Sequence, residues 1–123
     1  MNKIEEIKKT KYSTITVKEV EDLIKAYVSK QDNISEDKIS LKLYSNDDSD
    51  YYAFNIEIKK TINGENKNSL NYVEKYKMEK NQIMIIVDSY LEKNFKINID
   101  FTEFNYFELN GNNFSFKFEE IKK

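Results

Sequence analysis

Cysteine, histidine and proline are all missing from the 123 residues, and glycine occurs only twice, at 64 and 111. Without cysteine no disulfide can staple the fold, and without cysteine or histidine the commonest zinc ligands are gone. The hydrophobic core must therefore hold the chain. The same gaps exclude nucleophilic catalysis of the Ser-His or Cys-His kind, and two isolated glycines cannot build the usual phosphate cradles. Any chemistry is left to carboxylate, lysine, tyrosine and hydroxyl groups, with no cofactor implied. Arginine is missing too, all 20 basic residues being lysine. Without guanidinium forks the chain lacks the bidentate contacts that dominate guanine and phosphate recognition. No apolar run approaches the length that spans a bilayer, and Met1 to Lys9 contains no hydrophobic signal core. These gaps predict a cytoplasmic protein with no membrane partner.

What is present is aromatic and charged. Eight Phe and nine Tyr accompany 34% charged residues and a net charge of -2, the composition of a soluble folded chain. At this length one domain over 1–123 is expected, since two would each be too small to bury a sufficient core. Residues 1–12 read as a charged arm, flexible or forming a short helix. Thr16 to Glu19 reads as a capping box. The helix behind it carries Val17, Val20, Leu23, Ile24, Tyr27 and Val28 on one stripe and ends near Lys30. Ile39, Leu41 and Leu43 alternate as a first strand. Ile83, Ile86, Val87, Tyr90 and Leu91 mark a second helix, widened by Met84 and Ile85 and closed by Asn94 as a left-handed cap. Ile97, Ile99 and Phe101 alternate next, followed by a pair of strands bearing Phe107 and Leu109, then Phe114, Phe116 and Phe118. The order α-β-β-β-α-β-β predicts an α+β fold, an antiparallel sheet of about five strands with both helices on one face.

Side-chain parity decides the hairpins. Tyr52, Phe54, Ile56 and Ile58 share one face of Tyr51–Ile62, and Leu70, Tyr72, Tyr76 and Met78 share one face of Leu70–Met78. A two-residue Asn63-Gly64 turn would set even positions against odd ones and mix the apolar with the polar face. An odd loop is required. The expected one is Ile62-Asn63-Gly64, with Gly64 left-handed, Phe54 opposite Tyr72 and Ile56 opposite Leu70. In the last hairpin odd residues must face even ones. An even loop, Asn110 to Asn113 or its inner Gly111-Asn112 pair, then sets Phe107 opposite Phe116.

Three constellations could carry chemistry or binding. Glu74 falls on the apolar parity between Tyr72 and Tyr76, where a buried carboxylate would serve as an acid or base, while a sheet-edge or snorkelling position would pair it with a lysine or a tyrosine hydroxyl. Asn46, Asp48, Asp50 and Glu57 imitate part of a calcium loop, but Tyr51 stands where the sharp-turn glycine belongs, so a solvated acidic turn, Asp47 included, fits better. Tyr12, Tyr44, Tyr51, Tyr106 and Phe104 fall off the core parity, where tyrosines anchor protein partners or stack on bases. Lysines and carboxylates partition without a dominant cationic stretch, which favours a protein partner over nucleic acid.

The size and the Lys-, Asn- and Ile-rich composition resemble those of small accessory proteins of phages and mobile elements in AT-rich bacteria, including inhibitors of host defence such as anti-CRISPR proteins. That resemblance is one of composition and transfers no residue. It implies a non-catalytic protein that binds an unidentified protein partner, with Asp47, Asp48, Asp50, Tyr51, Asp100, Glu103 and Glu108 as partner-binding candidates acting by charge mimicry. The alternatives are a single-stranded nucleic-acid-binding module that uses exposed tyrosines and lysines, and a carboxylate-dependent hydrolase built on Glu74. The chain itself would be a monomer or a homodimer through its sheet edges.

Overall fold

The computed structural model describes residues 9–46, 51–102 and 106–122. Its elements run β1 (Lys11–Thr16), α1 (Val17–Asp32), β2 (Ile39–Ser45), β3 (Tyr52–Asn63), β4 (Ser69–Glu79), α2 (Lys80–Phe95), β5 (Ile97–Ile99), β6 (Phe107–Asn110) and β7 (Asn113–Glu120). The class is α+β, and the expected order runs through it with a strand added ahead of α1 and three strands in place of two after α2. The strands form two antiparallel sheets where one of about five strands was expected. β2, β3 and β4 make a meander. β7 is the hub of the other sheet, with β1 on one edge and β5 and β6 in succession on the other.

β1 is the reason the sheet divides. Residues 11 and 12 were expected in a charged arm, yet the segment Lys11–Thr16 pairs with β7 from Lys11 opposite Phe118 to Thr16 opposite Asn113. Only Ile15 of β1 is buried, so the strand carries too little apolar alternation to be read from sequence. With β1 on one edge and β5 and β6 on the other, β7 has no edge left to join the meander. β5 and β6 act as one strand broken at a single β7 residue. Ile99 pairs with Phe118 and Phe107 with Phe116, while Lys117 between them bonds across the break, its carbonyl accepting from Asp100 N at 2.8 Å and its N–H reaching the Tyr106 carbonyl at 3.3 Å.

The helices follow their local chemistry. Thr16 Oγ1 accepts from Glu19 N at 3.1 Å, satisfying a first-turn donor as the capping reading requires. α1 runs two residues past Lys30 and stops at left-handed Asn33, where the N–H of Ile34 returns to the Ser29 carbonyl at 3.0 Å. It buries Val20, Ile24 and Val28. In α2 the left-handed cap is Lys96, two residues beyond the expected Asn94, whose side chain instead donates to the Tyr90 carbonyl. Met84 is buried there and Ile85 is exposed.

One core joins both sheets and both helices. Its centre is aromatic. Phe107 and Phe114 stack at 4.9 Å, Tyr52 lies 5.2 Å from Phe114, and the Tyr52 hydroxyl donates to the Phe107 carbonyl at 2.9 Å. Tyr52 thus links the first residue of β3 to the other sheet. Burial pushes its phenol well above the ordinary range, so it stays a neutral donor. Each ring so buried contributes roughly 1.5–3 kcal/mol of transfer free energy. Among the described residues no helix is long and apolar enough to cross a membrane.

Both hairpins obey parity, but only one has the expected register. In β6–β7, Phe107 lies opposite Phe116, and Gly111, at φ 62°, turns the chain with Asn112 between paired Asn110 and Asn113. In β3–β4 the loop is odd, as parity demands, yet Phe54 faces Met78 and not Tyr72, and Ile56 faces Tyr76 and not Leu70. β4 is therefore displaced by six residues (78 against 72) from the expected pairing, and the loop is 64–68. Gly64 is not left-handed, and Asn66 and Lys67 supply the positive φ instead. The reason lies at Glu74. The expected register would set it opposite Tyr52 in the core, where an unpaired carboxylate is costly. The observed one sets it opposite Ile58, with its carboxylate 2.8 Å from Lys60 Nζ.

Candidate interaction surface

The meander has one covered face and one open face. Ile39, Phe54, Ile56, Ile58 and Met78 point into the core. The alternate residues form rows across the open side: Tyr44, Ala53 and Glu79; Lys42, Asn55 and Lys77; Ser40, Glu57 and Lys75; then Lys59 beside Val73 and Thr61 beside Asn71. A cleft of about 570 Å³ lies along the middle rows, lined by Ser40, Lys42, Asn55, Glu57, Lys75 and Lys77. Its charge is mostly positive. Lys75 pairs with Glu57 at 3.3 Å, whereas Lys42 and Lys59 have no ion pair among the described residues. Lys77 sits 5.9 Å over the Tyr44 ring, which meets Tyr51 edge-on at 6.1 Å. Tyr51 is partly exposed and its hydroxyl donates to Glu79 Oε1 at 3.2 Å. Desolvation first, and that bond second, hold its phenol above the ordinary value.

The second feature is the outer edge of β4. In an antiparallel ladder each residue turns its N–H and C=O both toward one neighbour, and successive residues alternate sides. Gly64 N bonds to the Asn68 carbonyl at 2.8 Å and Asn46 N to the Tyr51 carbonyl at 3.1 Å, and these closing bonds fix the phase. Even residues of β4 bond to β3. Asn71, Val73, Lys75 and Lys77 therefore present their backbone groups outward. No strand pairs with that edge among the described residues. Beyond the helices, the hairpin also exposes apolar side chains: Ile62 is 53% exposed, Leu70 62% and Val73 48%, with Tyr72 and Tyr76 partly exposed beside them. A cleft of about 370 Å³ runs along this end between Lys38, Lys59, Asn71 and Tyr72.

Glu74 is half-buried and ion-paired, not enclosed among apolar groups. Lys60 stands between it and Asp32, 2.8 Å from the first and 3.5 Å from the second. The hydrogen bond that Lys60 donates to Glu74, with the nearby Asp32 charge, raises the Lys60 ammonium above its ordinary value. This is the sheet-edge, lysine-paired reading of Glu74, and the buried-acid reading does not survive it.

Among the described residues the acidic candidates are Asp100 and Glu108, and these two do not present a common exposed face. Asp47, Asp48, Asp50 and Glu103 lie outside the described residues, as does Phe104. Asp100 was expected to meet a partner, yet it is 8% exposed and turned inward. Its Oδ1 accepts from Thr102 N at 2.9 Å and its Oδ2 lies 3.5 Å from Lys117 Nζ, so it closes the break between β5 and β6. The Thr102 bonds first, then Lys117, hold its carboxyl below the ordinary value. Glu108 is half-buried on β6 opposite Ser115, in the sheet separate from the meander that Tyr51 leads into. Of the calcium-loop imitation, Asn46 Oδ1 accepts from Tyr51 N and Glu57 binds Lys75. No group of three or more metal-ligating side chains forms among the described residues.

The aligned open-face lysines and the free edge were not singled out from sequence. The signal for the first was present, because Lys59, Lys75 and Lys77 share the outward parity of their strands. Which edge stays free depends on where β1 and β7 go. Comparison of the chain with protein-family models, with curated proteins and with solved structures finds no match.

Proposed function

We propose that this chain is a non-catalytic interaction module that binds another protein through the far half of the β3–β4 hairpin. The observation that carries this reading is the conjunction at β4 of a backbone edge unpaired among the described residues with exposed Leu70, Val73 and Ile62. A partner strand added to such an edge gains main-chain hydrogen bonds, and the flanking apolar side chains supply desolvated contacts. Charge mimicry by the acidic segments receives no support from Asp100 or Glu108. The test is affinity capture from the native cell with the wild-type chain and with a Leu70→Lys, Val73→Lys double variant. Loss of a captured protein in the variant supports the reading. Capture that ignores both substitutions removes it.

A single-stranded nucleic-acid partner is the second reading, favoured by the open-face lysines set beside Tyr44 and Tyr51, since a basic groove with aromatic platforms suits an extended polyanion. It expects fluorescence anisotropy of a labelled oligonucleotide to rise at low salt and to fall with Lys42→Glu and Lys77→Glu. Flat anisotropy at low salt eliminates it.

A further inference from the structure

The β4 edge is self-complementary, and we infer that its partner is a second copy of this chain, joined antiparallel through β4 to give a continuous six-stranded sheet with a two-fold axis at Val73. The inference rests on the proposed use of the hairpin edge and names the occupant.

Two antiparallel edge strands related by a two-fold must have that axis normal to the sheet. Such an axis keeps each face on its own side, so even residues meet even ones and odd meet odd. Only a few registers of Ser69–Glu79 are then available, and the charges discriminate among them. Centring on Glu74 sets that carboxylate against its own copy. Centring on Lys75 or Lys77 does the same with ammonium groups, and centring on Tyr76 sets Lys75 against Lys77 twice. Centring on Asn71 or Tyr72 pairs a shorter stretch, residues 69–73 or 69–75 of each copy. Centring on Val73 pairs residues 69–77 of each copy with no like-charge contact. Val73 meets Val73 on the open face, with Asn71 against Lys75 and Ser69 against Lys77.

On the other face Leu70 meets Tyr76 twice and Tyr72 meets Glu74 twice. The exposed apolar residues of β4 are thus the ones this register covers. The backbone phase agrees as well. The outward-facing groups belong to the odd residues, so Val73, Asn71 and Lys75 exchange bonds across the axis as hydrogen-bonded pairs. Lysine on an edge strand normally discourages strand addition. Here both edge lysines fall opposite small polar residues, so they permit this pairing while opposing the registers centred on Lys75, Tyr76 and Lys77.

Sedimentation of the full chain over a concentration series tests the inference, alongside Val73→Lys and the control Ser40→Lys on the opposite edge strand. Both substituted residues are exposed, and circular dichroism confirms that each variant is folded. The wild type and Ser40→Lys are expected to reach twice the 14.7 kDa chain mass, and Val73→Lys, which places an ammonium against its own copy on the axis, to stay at once that mass. In the dimer the amides of Asn71, Val73 and Lys75 gain protection from hydrogen exchange as concentration rises, and in Val73→Lys they do not. A wild type that sediments as a single chain throughout overturns the dimer while leaving the edge free for a different protein. A Val73→Lys chain that still dimerises overturns it by placing the contact elsewhere. Failure of the wider reading is separate, being seen only when hairpin substitutions leave the capture of other proteins unchanged.

Discussion

The two hairpins are built on one rule and stabilised by different means. β6–β7 is short, and its apolar face disappears into the aromatic centre, where Phe107 stacks on Phe114 and takes the Tyr52 hydroxyl on its carbonyl. β3–β4 is longer. Its near half is as deeply buried, through Phe54, Ile56 and Ile58, while its far half carries exposed Ile62, Leu70 and Val73 on a ladder whose β4 edge is unpaired among the described residues. Pairing alone does not make a strand interior. The far half keeps its β-structure through cross-strand pairs such as Lys60 with Glu74 and Thr61 with Asn71, leaving its apolar groups available to something outside the chain.

The largest test of that contrast is truncation on each side. Phe114→Ala removes a fully buried ring and should cost about 3–5 kcal/mol in denaturant unfolding, whereas exposed Leu70→Ala should change stability by at most about 0.5 kcal/mol. A large loss at Leu70, measured where the chain is monomeric, would erase the distinction.

The glycines give a smaller contrast. Gly111 needs its positive φ, so Gly111→Ala should cost about 1–2 kcal/mol. Gly64 does not need one, and an added Cβ there would meet the Asn68 carbonyl at an ordinary 3.5 Å, so Gly64→Ala should be neutral or stabilising by up to about 1 kcal/mol. Thermal unfolding of the two variants checks this directly.

A pH titration separates the sheets further. The Asp100 carboxyl is held below its ordinary value of 3.8, so its contribution is complete above that value and fades as pH falls through the lowered one. Asp100→Asn should therefore flatten the acid limb of the stability curve below about pH 4. An unchanged limb would mean that the Thr102 and Lys117 contacts do not govern it.

The smallest effect belongs to the far hairpin. Lys60→Met removes the bridge between Glu74 and Asp32 at a partly exposed site and should cost no more than about 1 kcal/mol globally, with faster amide exchange confined to the hairpin's far half. A cooperative loss across the molecule would tie that half to the core after all.

How far each feature was legible follows from the range of the forces behind it. Thr16 could be read as a cap because its hydroxyl bonds three residues away. Phe107 could be set opposite Phe116 because a two-residue loop leaves one register that buries both phenylalanine rows. The β3–β4 loop could be read only to its parity, since more than one odd loop keeps Phe54, Ile56 and Ile58 inward. The choice fell to pairing Glu74 with Lys60. The candidate site was harder still. Asp100 looks like any surface carboxylate in sequence and is turned inward by Lys117, and the lysine rows form only once three strands lie side by side.

By itself, then, the sequence determined the α+β class, the order of the helices and of the strands it could read, the stripe of each helix and the buried faces of β2, β3, β6 and β7, since these rest on periodicity and on bonds a few residues long. Tertiary structure alone decided that Lys11–Thr16 would pair with Asn113–Phe118 across the length of the chain and divide the strands into two sheets. It thereby decided that β4, lysine-bearing on one face and apolar at its far end, would keep an edge that no strand among the described residues pairs with.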